Sequence, residues 1–279
     1  MKRSVSYFKI ALLFGVLSAL LVAIGYLVMG RTGAIIFFVI SLVMNLTSYW
    51  FSDKIALSMS GAQPLDESQA PEIYSDIREL TQKMNIPMPR VYMSPEMQPN
   101  AFATGRNPKH SAVCLTQGIV SMLNRDELRG VIAHELSHVK NYDVLIATVA
   151  AVFASAISNI ANIGLFFGGG DNEDRNPIAS ILLIIIAPIA AMMIQMAISR
   201  SREFVADATG AEFTGRPRDL ANALIKIDNA AHQIPMNVNP AVASLYIGNP
   251  FAGQNISSLF STHPKTADRV AKLMEINVR

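Results

Sequence analysis

The sequence predicts a mainly α-helical membrane protein, with four transmembrane helices and a cytosolic α+β portion that contains a small sheet. Of the 279 residues, 51% are hydrophobic and only 16% are charged, against about 25% charged residues in an average soluble protein. Four long runs also lack any charged residue, and each could cross the roughly 30 Å hydrocarbon core of a bilayer as a helix. The chain is thereby divided into a first hairpin (1–53), a soluble part (54–142), a second hairpin (143–199) and a second soluble part (200–279).

The first two runs are 10–30 and 33–52, and only Arg31 and Thr32 separate them. A connection this short predicts a tight helical hairpin that anchors the chain. A cleaved signal peptide is the alternative for the first run. That run is longer than the usual apolar segment of about 7–15 residues, and residues 28–31 do not form a small-residue cleavage site. The sequence therefore favours a retained anchor.

The third and fourth runs are 144–170 and 177–199, with a polar turn between them. The fourth contains an unbroken aliphatic stretch and is the stronger candidate for a transmembrane helix. The third is interrupted by two serines and two asparagines, so a long buried core helix remains its alternative. We expect both runs to form a second hairpin.

The positively charged residues near these runs predict the orientation in the membrane. Each short hairpin loop carries a single arginine, and the other flanking cations lie at the opposite ends of the runs: Lys2, Arg3, Lys9, Lys54, Arg200 and Arg202. Because segments with an excess of Lys and Arg remain in the cytosol, both termini and the whole soluble portion are expected there.

The first soluble part mixes helical and strand patterns. Apolar residues recur at helical spacing within a charged stretch and predict an amphipathic helix; they are Ile73, Ile77, Leu80 and Met84. Short strand-like pieces follow at 90–93 and 111–115, bounded by Pro, Asn and Gly. Asn124 can then cap a helix, and Glu127 is placed to complete a capping box. The soluble portion is therefore expected to be α+β.

Within the helix that follows this cap, residues 134–138 read His-Glu-Leu-Ser-His, an H-E-x-x-H motif. On a helix, His134 and His138 lie on one face a turn apart, so both imidazoles can reach one Zn²⁺. Glu135 is rotated by about 100° from His134 and can contact a water on the metal without binding the metal itself. Two surface histidines on an ordinary helix are the alternative.

A catalytic zinc site has three protein ligands and one open position, so a third ligand is expected elsewhere in the chain. Glu203 and Asp207 form an E-x-x-x-D pattern just after the fourth run and would share one helix face. Glu203 can complete the ligand set, and Asp207 can accept the free N–H of a ligating histidine. A solvated carboxylate pair beside Arg200 and Arg202 is the alternative. The histidine motif favours the metal site.

These motifs resemble those of the HtpX-type membrane metallopeptidases, a bacterial family related to the CAAX prenyl proteases. The matching segments are 100–105 (NAFATG), 134–138 (HELSH), 201–207 (SREFVAD), 262–264 (THP) and 268–269 (DR), together with the four apolar runs. The resemblance spans nearly the whole chain. It implies a zincin-like catalytic domain with one Zn²⁺ per chain. It also implies a zinc endopeptidase of the bacterial cytoplasmic (inner) membrane, whose protein substrates are damaged or misfolded membrane proteins in stress-related quality control.

Two further features are expected at such a site. His263 precedes Pro264 at a predicted helix start; it either hydrogen-bonds a developing oxyanion as a catalytic residue beside Glu135, or simply flanks the helix. A protease also holds its substrate extended, which an exposed sheet edge does through backbone hydrogen bonds. On the resemblance and its strand-like residues, the expected edge is Asn100, Ala101, Phe102 and Ala103; an ordinary loop is the alternative.

Two other functional classes remain open. A transporter or channel would usually carry ionisable residues inside its membrane helices, and the four runs have none. A scaffold with structural zinc would need a fourth protein ligand, for which His263 and Cys114 are the candidates. A net charge of +2 without a basic block argues against nucleic acid as a partner. Protein substrates and the bilayer are the expected partners, and the oligomeric state stays open.

Overall fold

The chain begins with a long helix, α1 (Arg3–Met59), which is broken at Met29 and Gly30. The structure, a computed structural model, describes residues 3–151, 200–238, 240–252 and 264–276. At the break Gly30 has a φ of 60°, a left-handed conformation that glycine adopts without strain. A Cβ on Gly33 would collide with the backbone carbonyl of Gly25, so the two arms of α1 lie in close contact. Farther along, Asn45 Nδ2 donates to Ser18 Oγ at 2.8 Å. The arms therefore pack side by side as a hairpin.

The second arm is suited to a bilayer. The helix Met29–Met59 is long and apolar enough to cross a membrane, and only 11% of its most apolar stretch is buried. The first arm contains a shorter apolar helix, Ile10–Ala23. Within the described part of the chain, Met29–Met59 alone meets the length and hydropathy expected of a spanning helix. The fourth predicted transmembrane run and residues 152–170 of the third lie outside the described residues, so four transmembrane helices stay a prediction.

A four-stranded mixed sheet follows α1. Its strands are β1 (Gln63–Pro64), β2 (Arg90–Ser94), β3 (Ala101–Asn107) and β4 (His110–Thr116), in the order β1-β2-β4-β3. β2 runs parallel to β4 and β3 runs antiparallel to it, with Ala103 opposite Val113. The two strands expected from the sequence are confirmed as β2 and β4. The order places β3 at one edge of the sheet.

Six helices accompany the sheet in the described ranges. They are α2 (Pro71–Met84), α3 (Gln117–Met122), α4 (Arg125–Lys140), α5 (Arg200–Thr214), α6 (Pro217–Ala231) and α7 (Thr266–Met274), with a 3-10 turn at Pro240–Leu245. A further helix begins within 143–151. The predicted amphipathic helix is confirmed as α2, which buries the four expected apolar residues and ends at Asn85 in a left-handed conformation.

The helix α4 lies at the centre of the domain, packed against α2, α5, α6 and β3. Its apolar residues are almost fully buried in the main hydrophobic core: Leu128, Val131, Ile132, Ala133, Leu136 and Val139. A second core joins the end of α1 to the sheet, because Ala56 and Leu57 pack with Phe102 and Tyr246. The anchor is thus continuous with the domain that carries the histidine motif.

Candidate metal centre

The start of α4 is fixed by a capping box. Asn124 Oδ1 accepts a hydrogen bond from the backbone N–H of Glu127 at 2.9 Å, and the Glu127 carboxylate accepts one from the backbone N–H of Asn124 at 3.0 Å. Lys226 of α6 donates to the same carboxylate at 2.8 Å. These contacts satisfy N–H groups that a helix start leaves without partners. The cap predicted from the sequence is confirmed, and it holds His134 and His138 on a face of α4 that points into the domain.

The helix α5 lies very close to α4 beside this face. A Cβ at Gly210 of α5 would come within 3.1 Å of the backbone nitrogen of His134, so a side chain at this position would be tightly packed against the backbone of α4. Asp207 lies one turn before Gly210 and Glu203 two turns before it. The close approach of the two helices therefore brings both carboxylates to the histidines. Both are buried, with 5% of Glu203 and 3% of Asp207 exposed, unlike a solvated surface pair.

Three side chains converge on one point. The Nε2 atoms of His134 and His138 are 3.2 Å apart. Glu203 places Oε2 3.6 Å from His134 Nε2 and Oε1 3.4 Å from His138 Nε2. The three ligand-type atoms all lie within 4.8 Å of one another. A tetrahedral ion with bonds of about 2.0–2.1 Å keeps its ligand atoms roughly 3.3 Å apart, so these spacings fit a metal such as zinc.

The outer nitrogen of His134 has a carboxylate partner. Its Nδ1 lies 2.9 Å from Asp207 Oδ1, and Arg269 of α7 binds both oxygens of Asp207, at 2.7 and 2.8 Å. Burial would raise the pKa of Asp207, but the Arg269 guanidinium outweighs it and lowers the pKa to about 2. Burial also lowers the pKa of His134, yet hydrogen bonds with Asp207 and Glu203 raise it to about 9. A proton therefore competes with a metal for His134.

His138 has a similar partner at its outer nitrogen. His138 Nδ1 lies 3.4 Å from Asp143 Oδ2, and Arg202 donates to Asp143 Oδ1 at 2.6 Å. Each histidine thus has a carboxylate beside Nδ1, which keeps a proton on Nδ1 and leaves Nε2 as the nitrogen that binds a metal once Nε2 has lost its own proton. The Nε2 lone pairs of both rings then point at the same space as the Glu203 carboxylate. Such a donor set fits a divalent cation, because the outer carboxylates orient the ligands.

Glu135 lies beside this cluster without belonging to it. Its side chain is buried, with 2% exposed, and burial raises the pKa of its carboxyl group. Its carboxylate also accepts a hydrogen bond from the backbone N–H of Ala103, and this hydrogen bond lowers the pKa. The cleft in front of the cluster is lined by Ala103, Glu135 and the segment 244–247. Glu135 is therefore at hand for a water or substrate that enters the cleft.

The expected substrate edge is partly covered by the chain itself. The backbone N–H of Ile247 donates to the carbonyl of Ala101 at 2.9 Å, and the Asn100 side chain bonds both backbone groups of Gly248, at 2.9 and 3.0 Å. Phe102 is fully buried against Tyr246, with ring centroids 4.9 Å apart. Ala103 lines the cleft beside Glu135. The accessible part of the β3 edge beside the metal cluster therefore begins at Ala103. Asn100 instead holds residues 247–248, which cover the start of that edge.

The other candidates lie elsewhere. His263 falls within 253–263, outside the described residues. His110 and His232 are exposed. Cys114 is a buried free cysteine in β4 and is not one of the residues that cluster around the candidate metal position.

Three charged residues at the site are ones that the sequence does not predict as part of a metal site: Asp143, Arg202 and Arg269. Asp143 lies five residues after His138, a spacing at which the chain can fold back from a helix end, so it could have been considered. Arg202 lies in the matching segment 201–207, but the sequence predicts it only as a flanking cation and a neighbour of the carboxylate pair. Arg269 belongs to the matching segment 268–269, but its contact with Asp207, 62 residues away, leaves no local signal in the sequence.

Comparisons with known proteins agree with this geometry. The family profile of Peptidase family M48 matches residues 67–277. A protein named Protease HtpX homolog from Pelotomaculum thermopropionicum is 55% identical over 272 residues, which cover 95% of this chain and 97% of that protein. A protein of the same name from Burkholderia thailandensis is 51% identical over 276 residues, covering 97% of each. The resemblance drawn from the sequence motifs is confirmed.

The crystal structure of Ste24p from S. mikatae is similar in fold. The match has a TM-score of 0.51 at 17% sequence identity and covers 97% of this chain. This chain spans 65% of the length of that one. At such low identity the likeness concerns the fold alone.

Proposed function

Since this chain belongs to peptidase family M48, we propose that it is a zinc-dependent endopeptidase with one Zn²⁺ held by His134, His138 and Glu203. The family and the relatives named Protease HtpX homolog make it a membrane-associated metallopeptidase, a hydrolase. One observation supports the finer proposal most strongly: His134, His138 and Glu203 bring ligand-type nitrogen and oxygen atoms within 3.2–3.6 Å of one another, beside a buried glutamate that does not belong to the set. That set provides three protein ligands and leaves an open side toward the cleft, as catalytic zinc sites do.

Each side chain has a distinct task in this proposal. When bound, zinc would polarise a peptide carbonyl and acidify a water molecule. Glu135 takes the proton from the attacking water and passes it to the leaving amine. Its raised pKa helps both transfers, because a group that titrates closer to the working pH accepts and releases a proton more readily. Asp207 and Asp143 hold the two imidazoles in the tautomer that directs Nε2 at the metal.

The substrate would bind as an extended strand beside β3. Alternate residues of an edge strand direct their peptide groups away from the sheet. The carbonyl of Ala101 points away from the sheet toward Ile247. The N–H of Ala103 also points away from the sheet, toward Glu135. A peptide added at Ala103 would bring its carbonyl to Glu135 and the metal position. His263 is proposed as a further contributor that stabilises the oxyanion.

The proposed substrates are damaged or misfolded membrane proteins, degraded in stress-related quality control at the bacterial cytoplasmic (inner) membrane. This proposal rests on the family resemblance and on the anchoring of the domain, since Ala56 and Leu57 at the end of the apolar helix pack directly into the sheet core. A multi-pass topology with both termini and the catalytic domain in the cytosol follows from the positive flanks of the apolar runs.

Hydrolysis of casein by the purified protein in detergent, with and without zinc, tests the proposed activity. Glu135→Gln should abolish hydrolysis yet leave about one zinc per chain, because Glu135 is a base and not a ligand. Glu203→Ala should lose both metal and activity. Glu212→Gln is the matched control, an exposed carboxylate on the same helix, and should keep both.

Two results would contradict the proposal. Stoichiometric zinc without hydrolysis in the unchanged protein would favour a structural site. Normal zinc content and activity in Glu203→Ala would show that the third ligand is another residue.

A further inference from the structure

A second cleft lies at the end of the apolar helix, away from the metal cluster. It encloses about 650 Å³, a volume typical of sites for small ligands. Its wall combines the last apolar turns of α1 with β2 and the β3–β4 turn, and its lining includes Trp50, Asp53, Lys54, Arg90, Arg106 and Lys109. We call it the basal cleft.

The basal cleft is strongly cationic. Four of its lining side chains are Lys or Arg, and Asp53 is the one carboxylate among the described residues that line it. Arg90 already forms an ion pair with Asp53. The other three cations, Lys54, Arg106 and Lys109, make no ion pair within the described ranges of the chain. The cleft therefore presents positive charge without a matching acid, which suits an anionic ligand.

The cleft also borders the apolar surface of the anchor. Trp50 and Phe51 are about half exposed at its rim, and the residues before them on α1 expose a continuous apolar face that includes Leu42, Val43 and Leu46. Tryptophan is enriched where a helix leaves the hydrocarbon core. The guanidinium carbon of Arg106 lies 4.4 Å from the Trp50 ring centroid, so a cation sits directly over this interfacial ring.

One kind of ligand matches both the cationic cleft and the apolar face of α1 beside it. We propose that the basal cleft binds the phosphate headgroup of an anionic phospholipid, such as phosphatidylglycerol, with its acyl chains along the exposed face of α1. Arg106 offers planar paired donors to phosphate oxygens, and Lys54 and Lys109 add point charges. A free phosphate would satisfy the cations but would leave the adjoining apolar face unused. The site would hold the domain at a fixed height against the bilayer.

Trp50 makes the proposal directly measurable because it is the only tryptophan of the chain. The full-length protein is reconstituted in phosphatidylcholine vesicles that contain increasing fractions of either brominated phosphatidylglycerol or brominated phosphatidylcholine. Bromine near the headgroup end of the acyl chain quenches the emission of a neighbouring indole. We expect the anionic lipid to quench Trp50 at a mole fraction roughly fivefold lower than the neutral lipid, the effect of about one favourable charge contact at a membrane surface.

A charge-matched pair of variants separates a built site from general attraction. In the double variant Arg106→Gln/Lys109→Gln, the neutral and the anionic lipid should quench Trp50 at nearly the same mole fraction, so the ratio of the two mole fractions should be close to one. Arg78→Gln/Lys83→Gln removes the same charge from exposed positions on α2, outside the cleft, and should keep the full ratio. Lys109→Gln alone, an exposed change at the β3–β4 turn, should lower the ratio partly even if the double variant is unstable. Zinc content monitors folding in each case.

Three outcomes would overturn the proposal. Equal quenching by both lipids in the unchanged protein would show no preference at Trp50. An equal loss of preference in the two double variants would reduce the effect to overall charge. If millimolar inorganic phosphate in the buffer abolished the preference, the cleft would be a site for small anions and not for a lipid.

Discussion

Nδ1 of His134 lies 2.9 Å from Oδ1 of Asp207, deep inside the domain. This contact joins the two helices that supply the proposed ligands, because His134 belongs to α4 and Asp207 to α5. Arg269 of α7 holds the opposite side of Asp207 with two hydrogen bonds and places Nη1 3.8 Å from Glu203 Oε2. The proposed metal site is thus supported from three helices that are far apart in the sequence.

The first prediction concerns Asp207→Asn. An amide can occupy the same space but lacks the charge that favours the Nδ1–H tautomer of His134. Removing an outer partner of a metal-binding histidine typically costs 10–100-fold in metal affinity or activity. We expect zinc affinity to fall by roughly that factor, measured by competition with a fluorescent chelator. Glu212→Gln, on the same helix but exposed, should leave the affinity unchanged. An unchanged affinity in Asp207→Asn would mean that this contact does not orient His134.

The second prediction concerns Arg269→Gln. Arg269 is 2% exposed and neutralises Asp207, which is 3% exposed. Losing one partner of a buried ion pair leaves the other charge buried without compensation, at a cost of about 3–5 kcal/mol. The thermal midpoint of the chelator-treated protein should therefore drop markedly. The double variant Asp207→Asn/Arg269→Gln should be less destabilised than the sum of the two single variants. Strict additivity would argue against the ion pair as the source of the loss.

The local part of this site could be predicted from the sequence, whereas the long-range part could not. The cap at Asn124 and the spacing of His134 and His138 depend on contacts within one or two helical turns, which the sequence displays directly. The same periodicity places Glu203 and Asp207 on one face of α5. Arg269, by contrast, meets His134 across 135 residues, and nothing in a single sequence reveals such a contact.

In the sheet, too, the local features could be predicted from the sequence and the long-range ones could not. The strand patterns at β2 and β4 were visible because apolar residues lie between turn-forming residues. Their parallel pairing and the edge position of β3 arise from the chain path between them. The covering of Asn100 and Ala101 by residues 247–248 is likewise a tertiary contact, so the accessible edge is shorter than the strand pattern alone suggests.

The third prediction concerns the edge at Ala103. Proline there removes the backbone N–H that faces Glu135 and fixes φ, so it cannot extend the edge in the usual way. Ala103→Pro should raise KM for casein and lower kcat while zinc content stays near one per chain. Ala103→Gly keeps the N–H and removes only a methyl group, so its KM should remain close to that of the unchanged protein. Full activity in the proline variant would place substrate docking elsewhere.

The last prediction concerns the junction between the anchor and the domain, where the chain changes from lipid-facing to core-forming within a few residues. Leu46 and Trp50 are 53% and 52% exposed, whereas Ala56 and Leu57 are 0% and 4% exposed. The last turn of α1 therefore belongs to the folded domain, where it packs with Phe102 next to the proposed site. Among the described residues, the hairpin before it contributes none to that core, and Ile10 and Leu17 pack instead with Leu145 and Ile146.

Two truncations that differ by six residues should consequently behave differently. A protein lacking 2–53 keeps Ala56 and Leu57 and should still bind about one zinc in detergent. A protein lacking 2–59 loses both and should bind little zinc and unfold at a lower temperature. In the full chain, Leu57→Ala should cost about 2–5 kcal/mol, as buried leucines do, whereas Leu46→Ala on the exposed face should leave the thermal midpoint of the domain almost unchanged. Equal zinc binding by the two truncations, together with a stable Leu57→Ala variant, would show that the metal site folds independently of the anchor. The expected difference would instead establish that the position of the metal is mechanically fixed relative to the apolar helix, because the residues that end the helix also pack against the strand that borders the cleft.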